Sequence, residues 1–269
     1  LMFCMKGVDV QRLRDAIVQH PDVYDMDTMP AEQFRTGKFI TVGLRNQIEQ
    51  ARAKGIHIPV ARTILITGLA DDEIWVNMTR VNGVDSTRPE SYTHGEIEGR
   101  KQVYEVERYL REFVPGYENC YAVTSASNVG VRETRHFKAL YELTEFDIVE
   151  AKLFDDWIAT RNLFNFDIHS LKGPGLDEHG AQHKFRSKGK YSIPFRCCIP
   201  QKLDGLLLSG RNIDGTHKAH SNFRVMPICL NIGQGVGTAA ALAARHKIAA
   251  RDVDVREVQK LLMQAGIQP

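Results

Sequence analysis

The chain has 269 residues, 43% of them hydrophobic and 25% charged, with a formal net charge of +2. That length can bury one large core or two smaller ones, the composition is ordinary for a globular protein, and the dispersed lysines and arginines argue against a nucleic-acid or membrane-surface role. No continuous apolar run reaches the roughly 18–20 residues that span a bilayer. The opening Leu1-Met-Phe-Cys-Met-Lys6 lacks the charged region and cleavage site of a signal peptide. Five cysteines in no framework spacing point to a reduced, cytoplasmic setting.

In chain order, Asp9 is placed to cap a helix running to His20, with Val10, Leu13 and Ile17 on one face and Pro21 as its stop. A second helix is expected from Arg45 to Lys54, closed by Gly55. Thr63-Ile-Leu-Ile-Thr67 and Glu73-Ile-Trp-Val-Asn-Met-Thr79 flank Gly68-Leu-Ala-Asp-Asp72 and predict a β-hairpin. The longest helix is expected over Ile97–Phe113, ended by Pro115-Gly116. Tyr121-Ala-Val-Thr124 and Arg135–Tyr141 read as strands, and Thr144 as the cap of a short helix. Residues 172–190 are polar, glycine-rich and aperiodic, which predicts a loop. Asp254 with Glu257 three residues on suggests a capping box for the last helix, ending near Gly266.

The C-terminal third carries the most information. Leu206-Leu-Leu208 reads as a short buried strand, followed by Ser209-Gly-Arg-Asn-Ile213, Arg224-Val-Met-Pro227 and Gly233-Gln-Gly-Val-Gly-Thr238. The last run otherwise reads as an alanine-rich helix beginning near Gly233. Each helical glycine costs about 1 kcal/mol relative to alanine, so three give up as much as roughly 3 kcal/mol. Something must approach that backbone closely: a ligand at a helix N-terminus, or a sheet packed against it. A dinucleotide turn opening at Gly233 is excluded. Thr238 stands where G-x-G-x-x-G needs its last glycine, and too few residues follow to complete a doubly wound domain.

Gly130-Val-Arg-Glu-Thr-Arg135, Tyr191-Ser-Ile-Pro-Phe-Arg196, Leu207-Leu-Ser-Gly-Arg-Asn-Ile213, His217, Arg224-Val-Met-Pro227 and Gly233-Gln-Gly-Val-Gly237 together resemble FAD-dependent oxidoreductases of the glutathione-reductase and fumarate-reductase type. The resemblance extends over essentially the whole chain. It departs at Ser192, where the family commonly has Asp, at Asp214, where Ser is common, and at Gly235-Val236, where Ala-Ala is usual. It implies FAD as cofactor, held by Gly210, Arg211, Asn212, Ile213, Arg224, Gly233, Gln234, Gly235, Gly237 and Thr238. It also implies Arg132 facing the flavin region, where a guanidinium can clamp a substrate carboxylate. The alternative for Arg132 is a strand-edge ion-pair network. The family opens with a strand, G-x-G-x-x-G, a helix and an acidic ribose ligand, none of which occurs here. An N-terminal segment of the same protein is therefore expected to complete the cradle, with this chain as the C-terminal portion.

Other chemistry is sparser. Asp167-Ile-His169 puts an acid and a histidine on one face of an expected strand, as an acid/base pair needs, or as a structural histidine would stand. Arg196 and His217 gain weight as catalytic candidates from their neighbours. His179 and His183 imitate a metal-binding spacing, but glycine follows the first histidine and the setting is a loop, so no metal is expected. Vicinal Cys197 and Cys198 suit packing better than redox work. Asp155-Asp156 reads as a helix-surface feature.

The expected architecture is an α+β substrate or cap domain over residues 1–190, then the C-terminal strand and helices of a Rossmann-like FAD-binding α/β domain over 191–269. The expected function is two-electron oxidation or reduction of a small organic substrate through FAD. The rivals are a non-catalytic assembly subunit with a remnant fold, and a thiol-based redox protein using Cys197 and Cys198.

Overall fold

The structure is a computed structural model, and it describes residues 1–25, 34, 37–170, 172–175 and 185–269. The His179/His183 pair lies outside the described residues. Two compact units are present, residues 1–131 with 170–175, and residues 132–169 with 176–269.

The first unit is built on a five-stranded antiparallel sheet in the order β2-β3-β4-β1-β5. Its strands are β1 (Phe3–Lys6), β2 (Ile40–Gly43), β3 (Thr63–Thr67), β4 (Ile74–Val76) and β5 (Tyr121–Ser125). Among the described residues three helices accompany it: α1 (Val10–Gln19), α2 (Arg45–Ala53) and α3 (Pro89–Phe113). The Asp9 side chain accepts from the Arg12 N–H to start α1, while Leu13 and Ile17 are buried, as the apolar spacing predicted. The β3–β4 hairpin forms as expected. Helix α3 is longer than its apolar stripe, because Pro89 in its first turn starts it ahead of Ile97. Phe3, Met5, Leu65, Val76, Val106 and Tyr109 share one core. Segment 170–175 joins this unit because the Arg80 guanidinium bonds the carbonyls of Ser170, Pro174 and Gly175.

The second unit centres on an antiparallel pair, β6 (Trp157–Asn162) with β7 (Tyr191–Pro194). Among the described residues this unit has four α-helices: α4 (Glu145–Val149), α5 (His217–Phe223), α6 (Met226–His246) and α7 (Val255–Gln264). Thr144 and Asp147 close the capping box of α4 reciprocally. Asp254 caps α7 through the Arg256 N–H, while Glu257 pairs with His246 instead of completing a box. Helix α6 is pinned to β6 by Asn231, whose amide donates to Thr160 O at 2.8 Å and Asn162 Oδ1 at 2.9 Å. By length and mean hydropathy (1.2) α6 passes for a membrane span, yet its Ile228, Ile232, Val236, Ala239 and Leu242 sit in the same core as β6.

Several expectations are corrected. A domain break at 190 would part β6 from β7, which are hydrogen-bonded, so the unit boundary falls at 131/132 instead. The Rossmann-like portion is not reproduced among the described residues. Every pair of named strands is antiparallel, whereas a doubly wound sheet needs parallel strands joined by crossover helices. The described fold is a mixed α/β one with antiparallel sheets. Leu206–Leu208 is no strand: Leu208 is buried and its N–H reaches Cys198 O, but Leu206 is exposed and pairs with no strand. Residues 135–141 form no named strand and make one isolated bridge, Ala139 with Pro200. Asp155 and Asp156 lie in the turn before β6, not on a helix. Above all, α6 starts at Met226, with Pro227 in its first turn, so the three glycines lie in the helix interior and not at its N-terminus.

Candidate functional site

Glu133 is the hub of the polar groups in the second unit. Three imidazoles converge on its carboxylate: His217 Nδ1 at 2.8 Å from Oε2, His136 Nε2 at 2.9 Å from Oε1, and His220 Nδ1 at 3.7 Å from Oε1. The last two rings meet edge to face, 4.9 Å apart. Helix α5 supplies His217 and His220 one turn apart. Thr216 caps that helix by accepting from the Ala219 N–H, and its hydroxyl donates to Glu145. Segment 132–136 supplies Glu133 and His136, anchored just downstream where Ala139 N–H donates to the buried Asp214 at 2.8 Å. Asp214 is one of the departures from the family pattern; here it holds backbone.

Burial alone would raise the Glu133 carboxyl, but the hydrogen bond from His217 and the charge of the nearby imidazoles bring it down to about 2. His220 is only 2% exposed, and desolvation lowers it to about 4, so it is neutral around pH 7.

Next along the chain is a second knot. Asp167 accepts from Arg224 Nη2 at 2.6 Å, lies 3.1 Å from His169 Nε2, and stands 3.7 Å from Arg132 Nη1. Burial would raise its carboxyl, but the His169 bond and the charges of His169, Arg224 and Arg132 hold it well below the usual range. The acid–histidine contact expected for Asp167 and His169 is present, though neither residue belongs to a named strand.

The segment expected to hold cofactor forms a 3-10 turn at Gly210–Asn212. Gly210 has φ +73°, a left-handed conformation that favours glycine, and the space beside its Cα is open. Asn212 Oδ1 is buried with no partner. Arg211 Nη1 reaches the Arg132 carbonyl at 3.5 Å, which joins this turn to the segment bearing Glu133. The turn also meets α6, since a Cβ on Gly233 would touch Ser209 Oγ at 3.7 Å. Beyond it Gly233, Gln234, Gly237, Thr238, Ala241, Leu242, Arg245 and Leu261 line a groove of about 540 Å³.

Not every candidate joins this arrangement. Gly235 faces β6, where an added Cβ would collide with the Ile158 carbonyl, so helix–sheet packing explains this glycine; beside Gly237 nothing lies within 4 Å. Ile213 is fully buried in the core. Thr238 Oγ1 returns a bond to Gln234 O on its own helix. Arg224 is committed to Asp167. Arg196 is taken up elsewhere, donating to Asp156 at 2.9 Å with its guanidinium 5.0 Å over Tyr141. Sequence reasoning missed Glu133 as a hub, and it missed His136 and His220 altogether. A histidine three residues after an acid and another three after His217 is a weak signal that only the approach of α5 to segment 132–136 makes legible.

The described residues thus form a mixed α/β chain in which an acid–imidazole–guanidinium cluster is joined to a left-handed glycine turn through the Arg211–Arg132 contact. Residues 1–262 match the family described as FAD dependent oxidoreductase, and the chain belongs to that family, whose cofactor is FAD. No curated protein and no solved structure matches it. The open Gly210, the unpartnered Asn212 Oδ1 and the open flank of Gly237 fit such a group.

Proposed function

We propose that the chain takes part in FAD-dependent two-electron oxidation or reduction of a small organic substrate, with Gly210, Arg211, Asn212, Gly233, Gln234 and Gly237 against the cofactor. The observation that carries this reading is the Arg211–Arg132 contact, which ties the proposed cofactor turn to the Glu133 cluster. FAD, when bound, supplies the two-electron chemistry. His217, two-thirds exposed and held through Nδ1 by Glu133, takes up or returns the substrate proton at Nε2. Arg132, half-exposed, offers its guanidinium to a polar substrate group. His169 and Arg224 hold Asp167 and thereby Arg132, which makes them positioning residues.

A G-x-G-x-x-G turn is absent from the sequence, so we assign the cofactor's pyrophosphate to a further segment of the same protein. The five free thiols are consistent with a reducing, cytoplasmic setting. Two experiments test the reading: mass spectrometry of the native protein, expected to reveal sequence containing that turn, and absorbance of the same material, expected to show bound flavin. A native protein that neither carries flavin nor takes up added FAD overturns it.

A further inference from the structure

The Glu133 cluster holds more imidazole than a proton-transfer pair needs. His217 alone satisfies Glu133 Oε2. On the other oxygen, His136 and His220 face the same atom, and one ligand-type atom from each of Glu133, His136 and His220 lies within 4.8 Å of the other two. His220 is almost wholly buried, yet its Nδ1 stops 3.7 Å short of Oε1, past hydrogen-bond reach, and its Nε2 has no partner. A buried polar ring turned toward a carboxylate without bonding it is costly unless something else occupies the gap.

We propose that Glu133 Oε1, His136 Nε2 and His220 Nδ1 form a binding site for a divalent first-row transition-metal ion of the Zn²⁺ type. Two imidazole nitrogens and one carboxylate oxygen are the donor set such ions favour over Mg²⁺ or Ca²⁺. Bond lengths near 2.0–2.2 Å put tetrahedral donor atoms about 3.4 Å apart, so the 3.7 Å spacing of His220 from Glu133 is close to a ligating one and the 2.9 Å spacing of His136 from Glu133 has to open slightly. The donors come from two anchored elements, segment 132–136 and α5, and His217 on Oε2 is the kind of outer partner that orients a ligating carboxylate. Three protein ligands leave a coordination position for water or a substrate oxygen. The site does not depend on the flavin reading, since its ligands lie outside the cofactor turn.

The test is titration of the metal-stripped native protein with Co²⁺ alone, following its visible absorption, then displacement by Zn²⁺. One equivalent per chain is expected, displaced by Zn²⁺. Glu133→Gln and His136→Gln should each weaken binding by at least about tenfold, the lower end of what even outer-partner loss costs. Circular dichroism of each variant confirms that it is folded. His246→Gln, in the exposed pair with Glu257, and the double change His179→Gln/His183→Gln should leave binding unchanged. Absence of Co²⁺ binding, equal binding by wild type and folded His136→Gln, or loss of binding in either control variant would overturn the proposal. Flavin content has no bearing on any of these outcomes.

Discussion

His217 and Glu133 stand 84 positions apart in the chain and meet at 2.8 Å, Nδ1 to Oε2. The contact joins the first turn of α5 to the segment that opens the second unit. In the neutral ring, an Nδ1 that donates to the ionised carboxylate leaves Nε2 as the acceptor, which is the arrangement a general base requires. Replacing His217 with Gln keeps polarity and removes the base. Turnover of the flavin-loaded protein should fall about a hundred- to ten-thousand-fold, with flavin content and thermal midpoint near wild type. Steady-state kinetics beside a flavin spectrum checks this, and unchanged turnover would remove His217 from the reaction.

Asp167 gives a stability prediction with a definite pH direction. Its carboxyl is depressed in the folded chain, so its contribution is fully present above the unfolded value of about 3.9. It is lost progressively as the pH falls from there toward the folded value. Asp167→Asn should cost roughly 1.5–3 kcal/mol at neutral pH, the range for hydrogen bonds to charged groups, and should flatten the acid limb below about pH 4. Denaturant melts across pH decide this. A variant that loses as much stability at pH 2 as at pH 7 would show that Asp167 acts through packing and not through its charge.

The vicinal cysteines should be silent. Cys197 and Cys198 are unpaired and fully buried, and burial raises both thiols well above their usual values. A thiolate is the reactive form. Thiol reagents should therefore leave both unmodified in the folded protein and react after denaturation, and Cys197→Ser/Cys198→Ser should keep its redox activity. Rapid native labelling of either residue would revive the thiol-based rival.

The first unit was largely legible in the sequence because its signals are local. Asp9 capping α1, the hairpin around Gly68–Asp72 and the Tyr121 strand all follow from caps and short-range patterning. The second unit was less so. Leu206–Leu208 and residues 135–141 have the composition of strands but find no sheet to join, a long-range outcome that β-propensity cannot foresee. The glycine run suggests a helix start near Gly233, whereas Pro227 in the first turn starts α6 at Met226. Around Glu133, motif context singles out Arg132, Arg211 and His217, which the structure brings together through the Arg211–Arg132 and His217–Glu133 contacts. It does not single out His136 and His220, because a lone histidine carries no signal until a second element approaches it.

Gly235 and Gly237 are two residues apart on α6 and face different surroundings, which offers the most direct test of the central claim. Gly235 packs on Ile158, whereas the position a Gly237 side chain would occupy is open. Valine's helix propensity is no worse than glycine's, so the backbone tolerates either change. Thermal midpoint and flavin occupancy of the purified, flavin-loaded protein should be measured side by side for Gly235→Val and Gly237→Val. Cofactor placement along this face predicts a large drop in midpoint for Gly235→Val, and for Gly237→Val a near-normal midpoint with flavin lost. Stoichiometric flavin in Gly237→Val would contradict the placement of FAD against this helix.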